Sequence, residues 1–330
     1  MVCSAERRFR IILDCGGRPE ACNFAPSFGE LQLTAKSANM LTRDTFKRAF
    51  VKLIRKSKSV EQAIVSIAAR SAYESMKQRF IDNGRSSRFD EHVRSTIVAR
   101  FELIDRNVPI VTTPTDGLFL AEMLLNVDAP GTIVECGCYA GGSSAKLSIL
   151  AHLLGRQLVI FDSFEGLPAV DDRYLRDHHC RRGEEWVTEW TAGRYAARLE
   201  KVKANTQNYG EIVVCSFVKG WFSDTLNGST LPKPIAFAFA DVDLANSAKD
   251  CFFSIWPCLS EQGIYVTHDA TYIKVLQEIY DPDCWRTLHS QPPILFGAGY
   301  GVSNESPHLG YMVKGEKLSA DYLKALTINK

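Results

Sequence analysis

Between Thr132 and Asp269, short apolar runs alternate with longer stretches whose apolar residues recur every three or four positions. The runs are Thr132-Ile-Val-Glu-Cys136, Gln157-Leu-Val-Ile-Phe-Asp162, Glu211-Ile-Val-Val-Cys-Ser-Phe-Val218, Pro234-Ile-Ala-Phe-Ala-Phe-Ala-Asp241 and Gly263-Ile-Tyr-Val-Thr-His-Asp269. Each is rich in β-branched or aromatic residues and apolar on both faces, as a strand buried between two layers must be. Residues 143–154 and 245–259 carry helical spacing between runs. This alternation predicts βαβ units, and hence an α/β fold with a doubly wound, mostly parallel, Rossmann-like sheet.

Upstream the pattern is helical. From Arg43 to Asn83, Phe46, Phe50, Leu53 and Ile54 share one face, as do Ile64, Ile67 and Ala68. A further helix is predicted from Phe89 to Ile104, with Val93, Ile97, Val98 and Phe101 on one side. Thr113-Pro-Thr-Asp-Gly117 opens another, through Leu118, Phe119, Met123 and Leu124. Residues 1–40 have no sustained periodicity and are broken by Gly16-Gly17, Pro19 and Pro26, so they read as an irregular leader. The expected organisation is a leader over 1–40, a helical cap or dimerisation segment over 41–110, and a ligand-binding domain over 111–330. The basic face of the first helix (Arg43, Lys47, Arg48, Lys52, Arg55, Lys56 and Lys58 against Asp44) reads as the solvated side of a packing helix.

Composition narrows the function. With 45% hydrophobic and 23% charged residues, the chain has the balance of a globular protein. A net charge of +1 gives no field drawing it to nucleic acid or an acidic membrane, so the expected partner is a small molecule. Ile11, Ile12 and Leu13 are stopped at once by Asp14, too soon for a secretory signal. No run approaches the roughly 20 apolar residues of a membrane span, and a cytoplasmic location is expected. Ten cysteines occur without a single C-x-x-C pair, which argues against zinc or a disulfide scaffold and for reduced thiols.

Ligands of an open α/β sheet sit beyond the carboxyl ends of its strands, and the unusual residues fall there. The first run ends in Glu135-Cys-Gly-Cys-Tyr-Ala-Gly-Gly-Ser143, where Gly137, Gly141 and Gly142 allow a sharp turn and close approach of a ligand. The spacing is not the G-x-G-x-x-G of a dinucleotide site, and no G-K-[ST] follows to make a P-loop. This disfavours a nicotinamide oxidoreductase. An acid two residues before the first glycine suits a cationic ligand such as S-adenosylmethionine better than a pyrophosphate. The second run ends at Asp162, placed to accept hydrogen bonds from ribose hydroxyls.

Together E-C-G-C-Y-A-G-G-S, F-D-S-F-E-G-L-P, V-K-G-W-F-S-D-T-L and A-D-V-D-L-A-N-S-A resemble the macrocin O-methyltransferase family over about Thr113 to Ala270. These are class I enzymes that methylate sugar hydroxyls of natural products. The resemblance implies that Glu135, Gly137 and Gly141 line the methionine end of S-adenosylmethionine. It also implies that Asp162 takes the ribose and that Gly220 and Trp221 border the adenine. Tyr139, Ser143 and Ser163 lie in the same turns and complete that expected site. A homodimer is expected on the same ground.

Methyl transfer to a hydroxyl needs the acceptor oxygen aligned and at least partly deprotonated, by a base or a metal. Asp241 and Asp243 follow the fourth run, and His268 and Asp269 end the fifth. The resemblance implies a Mg²⁺ site of carboxylates there, and Asp241, His268 and Asp269 are the expected catalytic and metal-binding residues. Two departures stand out: His268-Asp269 replaces the family's Asp-Asp pair, and Val242 its D-G-D glycine. Histidine is a poor partner for magnesium; it favours another divalent cation or a metal-free imidazole base. The same departures suit the alternative, a catalytically inactive assembly or regulatory subunit. A second cluster, Asp177-His178-His179-Cys180 with Trp186 and Trp190, reads as a surface loop overhanging the acceptor. The acceptor itself has no readable code, although Phe296-Gly-Ala-Gly-Tyr300 can form one wall of its pocket.

Overall fold

The computed structural model describes residues 58–170, 190–303 and 306–315. The leader, the basic stretch 43–57 and the cluster Asp177, His178, His179 and Cys180 with Trp186 lie outside the described residues. Contacts divide the chain into a unit Met1–Ser71 and a compact unit Ala72–Lys330. Residues 72–110 fall in the same unit as the sheet.

Helix α1 spans Lys58–Asp82, and α2 (Glu91–Asn107) follows, capped by the Asp90 carboxylate accepting from Val93 N at 2.9 Å. Phe80 from α1 and Ile97, Phe101 and Ile104 from α2 join the same buried cluster as the sheet. Helix α3 (Pro114–Leu125) opens with a capping box. Thr113 Oγ1 accepts from Asp116 N, and the Asp116 carboxylate accepts from Thr113 N, so two otherwise unpaired donors are satisfied. The sequence Thr-Pro-Thr-Asp encodes this start, with proline at the first helical position.

The chain then winds through β1 (Thr132–Cys136), α4 (Gly142–Leu153), β2 (Leu158–Asp162), α5 (Leu199–Tyr209), β3 (Cys215–Lys219) and the single turn α6 (Phe222–Thr225). It continues through β4 (Ile235–Ala240), α7 (Ala245–Ile255), β5 (Leu259–Thr267), α8 (Ile273–Ile279), α9 (Pro282–Thr287) and β6 (Gly310–Val313). The strands form one sheet in the order β3-β2-β1-β4-β5-β6, parallel except for β6. All six residues of β4 are buried, as its unbroken apolar run requires. The doubly wound sheet expected from the alternation is therefore present. Three details differ from the sequence expectation. Ile212–Val214 form a 3-10 turn, so β3 starts only at Cys215. Strand β5 starts four residues early, at Leu259. The antiparallel edge strand β6 was not anticipated, because four residues after a turn-rich stretch carry no readable alternation.

What matters for the site is where the strands stop. Cys136 pairs with Phe161 and Ala240, and Ala240 with Thr267, so β1, β2, β4 and β5 end side by side. The ladder runs one residue further: Gly137 N donates to Phe161 O, Asp241 N to Cys136 O and His268 N to Ala240 O. Between β1 and β2 on one side and β4 on the other the winding reverses, which opens a crevice above these ends. Among the described residues no helix is long and apolar enough to cross a membrane.

Candidate active site

A cleft of about 240 Å³ lies over this switch point. Of the expected site residues, Gly137, Tyr139, Ser143, Asp162, Ser163, Gly220, Trp221 and Asp241 line it. Glu135, Gly141, His268 and Asp269 do not, and each sits just behind it for a physical reason.

The glycine turn forms the floor. Gly137 has φ +81, and a Cβ there would collide with the backbone oxygen of Asp241, so only glycine lets β1 and β4 part at this point. Gly141, at φ +85, begins α4, and its missing side chain makes room for Val202 of α5 rather than for a ligand. Glu135 is fully buried beneath the turn. One carboxylate oxygen accepts from Ser144 Oγ, and the other has no hydrogen-bond partner. Burial pushes its pKa up to about 8, against the pull of the neighbouring serine hydroxyls.

Asp162, at the end of β2, holds the turn from the side. Its two oxygens accept from Cys138 N and from Phe164 N, each at 2.7 Å. Each oxygen keeps a second lone pair for a donor in the cleft. Ser163 is used mainly to shape its own turn, accepting from Glu165 N and donating to Gly166 O. Gly220 N donates to Asp162 O, which brings Trp221, 37% exposed, to the rim.

The carboxylates cluster at the ends of β4 and β5, although in a different grouping from the one expected. One oxygen from each of Asp241, Asp243 and Asp269 lies within 4.8 Å of the others. Asp269 is fully buried. Its Oδ2 accepts from Val242 N and Asp243 N at 3.1 and 3.2 Å, while Oδ1 has no hydrogen-bond partner. Burial, reinforced by the charges of Asp243 and Asp241, raises its pKa well above the usual carboxylate range. Asp243 stands at φ +58, which aspartate tolerates better than most side chains, and accepts from Trp190 Nε1 at 3.1 Å. Trp190 packs edge-on to Tyr272, with ring centroids 5.0 Å apart.

His268 is outside that trio. Its Nδ1 faces Asp241 Oδ1 and its Nε2 faces Asp116 Oδ2, both at 3.4 Å. Burial works to lower its pKa, but the charge of Asp241 and the hydrogen bond to Asp116 prevail and hold it well above the usual histidine value. Both ring nitrogens thus face carboxylates. Asp116 was not singled out in the sequence, because its evident task there is to cap α3. Burial acts to raise its pKa, yet His268 and the Thr113 donors bring it below the ordinary aspartate value.

The profile of the Macrocin-O-methyltransferase family matches residues 119–288, just over half of the chain. The chain belongs to the macrocin O-methyltransferase family. That match takes in the glycine turn, Asp162, Gly220 and the acids of β4 and β5. A relative from Streptomyces olivaceus, named 8-demethyl-8-(2,3-dimethoxy-alpha-L-rhamnosyl)-tetracenomycin-C 4'-O-methyltransferase, is 32% identical over 179 residues. The alignment covers 51% of this chain and 66% of that relative. Among solved structures, the O-methyltransferase NovP is 18% identical with a TM-score of 0.49, over 74% of this chain and 99% of its own. The calicheamicin methyltransferase CalS11 is 20% identical with a TM-score of 0.44, over 71% and 97%.

Proposed function

We propose that the chain is an S-adenosylmethionine-dependent O-methyltransferase acting on a hydroxyl of a small molecule, a sugar of a natural product being the best supported acceptor. One observation carries the reading: a glycine turn, a ribose-ready carboxylate and an uncovered Asp241 meet in a single cleft. Family membership and the rhamnosyl substrate in the name of the Streptomyces relative support the acceptor class.

The residues fit the cofactor. Asp162 accepts the ribose hydroxyls with the lone pairs not used by the turn. Gly137 lets the ligand approach the backbone, and Trp221 offers a flat apolar face for the adenine. Glu135, once ionised, offsets positive charge held above the turn. When bound, S-adenosylmethionine supplies a methyl group on a cationic sulfur, electrophilic enough for an oxygen to take. Asp241 then receives the hydroxyl proton on the oxygen not facing His268, and the cleft holds the acceptor in line.

The acid trio also fits a hard divalent cation. It offers three oxygen donors close together, and Asp269 also has a buried Oδ1 without a hydrogen-bond partner. The proposed ligands are Asp241, Asp243 and Asp269, with Asp243 in the place given to His268 from the sequence. Such an ion would neutralise charge developing on the acceptor oxygen.

The test is incubation with methyl-labelled S-adenosylmethionine and a panel of glycosides headed by methyl α-L-rhamnoside, followed by mass spectrometry. Labelled methyl ether together with S-adenosylhomocysteine is expected. Consumption of the donor with the label on nitrogen or carbon would refute the reaction class.

A further inference from the structure

Beyond Asp162 the cleft continues between α6 and α7. Leu226, just after α6, shares a buried cluster with Ala248 and Cys251 of α7, and Phe222 packs against that cluster. Trp221, Phe222 and Ser223 line the cleft from the start of α6, and Ser247 and Asp250 line it from α7. The packing of α7 is carried by another face, where Ala245, Ala248, Cys251, Phe252 and Ile255 are buried. Ser247 and Asp250, three residues apart, share the face turned to the cleft and are only partly buried.

Asp250 is an acid without a task in the fold. Among the described residues its carboxylate makes no hydrogen bond and no ion pair. The neighbouring cation is drawn elsewhere, since Lys249 Nζ donates to Glu278 at 2.8 Å and to Asp281 at 3.1 Å. Burial raises the pKa of Asp250 above the ordinary aspartate value, against the pull of Lys249. A half-buried acceptor left without a donor costs stability, and a ligand donor in the cleft would remove that cost.

The place of Asp250 says which donor. A ribose held at Asp162 leaves two directions, one towards Gly137 and Asp241 and the other between α6 and α7. The reacting sulfur has to face Asp241, so the base lies on the α6–α7 side. The Watson–Crick edge of adenine carries an amino donor at position 6 beside an acceptor at N1. We infer that Asp250 accepts from the adenine 6-amino group and Ser247 donates to N1, so that this pair selects adenine at the far end of the cofactor. An oxo group in place of the amino group would meet the carboxylate oxygen to oxygen and leave it unpaired. The inference rests on the methyltransferase reading for the nucleoside in the cleft.

The experiment is titration calorimetry of the full chain with S-adenosylhomocysteine and with its deaminated analogue, S-inosylhomocysteine. The wild type should bind the deaminated analogue roughly 5- to 150-fold more weakly. Asp250→Asn, whose amide donates as well as accepts, should shrink that ratio to a few fold. Asp250→Ala should weaken S-adenosylhomocysteine and leave the deaminated analogue nearly unchanged. Without ligand, Asp250→Asn should melt no lower than the wild type, because the carboxylate serves no partner within the protein. A ratio unchanged in Asp250→Asn, or an unliganded variant melting well below the wild type, would overturn the inference while the methyltransferase reading stands. Failure of the wild type to bind S-adenosylhomocysteine would instead sink that reading, and the inference with it.

Discussion

Replacing Asp162 by alanine separates a nucleoside site from a merely well-packed turn. The carboxylate accepts two backbone N–H groups at 2.7 Å, from Cys138 in the glycine turn and Phe164 in the next. Hydrogen bonds to a charged acceptor contribute about 1.5–3 kcal/mol each. Both donors are only part-buried, so water can replace some of the loss, and the low end of the range gives about 3 kcal/mol for the pair. For a domain of this size that lowers the melting temperature by roughly 6–12 °C. Cofactor affinity should fall separately, because the ribose hydroxyls lose their acceptor; about 1–3 kcal/mol corresponds to roughly 5- to 150-fold weaker S-adenosylhomocysteine. Asp162→Asn keeps one acceptor oxygen and should lose about half as much stability. Thermal melts and titration calorimetry read the two effects independently. If Asp162→Ala melted lower but bound S-adenosylhomocysteine like the wild type, the carboxylate would serve the turn alone.

Asp241→Ala should abolish methyl transfer while calorimetric affinity for S-adenosylhomocysteine stays within a few fold of wild type; surviving turnover would remove this residue from the chemistry. Glu135 has a folded pKa of about 8 against an ordinary value of 4.5, so between those values the folded state keeps a proton that the unfolded chain has lost. Stability should therefore decline as pH rises from 4.5 to 8 and level off above. Cationic ligands favour the ionised form, so S-adenosylmethionine affinity should rise towards pH 8 with proton release, and Glu135→Gln should flatten both trends. Magnesium or manganese should raise the melting temperature by linkage if the acid trio holds the ion, and Asp269→Asn should abolish that rise.

Much of the sheet was readable in the sequence because its central strands are buried on both faces, so burial and sequence carry the same information. Strand β4 is the clearest case, apolar at every position and buried at every position. Strand β6 was illegible for the opposite reason: it is a short edge strand placed by pairing with β5, a contact no local pattern announces. In the cleft, Gly137, Asp162 and Asp241 sit where the sequence put them, because they end or follow strands whose apolar runs are readable. Gly141 was read as ligand-facing, but a glycine's spacing does not say which neighbour needs the room, and here it is Val202. Asp116 was hidden by its role as a cap, since the partner that reveals its second role, His268, is 152 residues away. The grouping of Asp243 with Asp241 and Asp269 was similarly missed, because it depends on a left-handed turn at Asp243 itself.

The cleft's assignment as a methyl-donor site is best checked by a crystal structure of the protein grown with S-adenosylhomocysteine. The ribose hydroxyls are expected on Asp162, the adenine beside Trp221 and the sulfur over Gly137 with Asp241 in front of it. A nucleoside bound elsewhere, or in this cleft with its sulfur turned away from Asp241, would contradict the assignment.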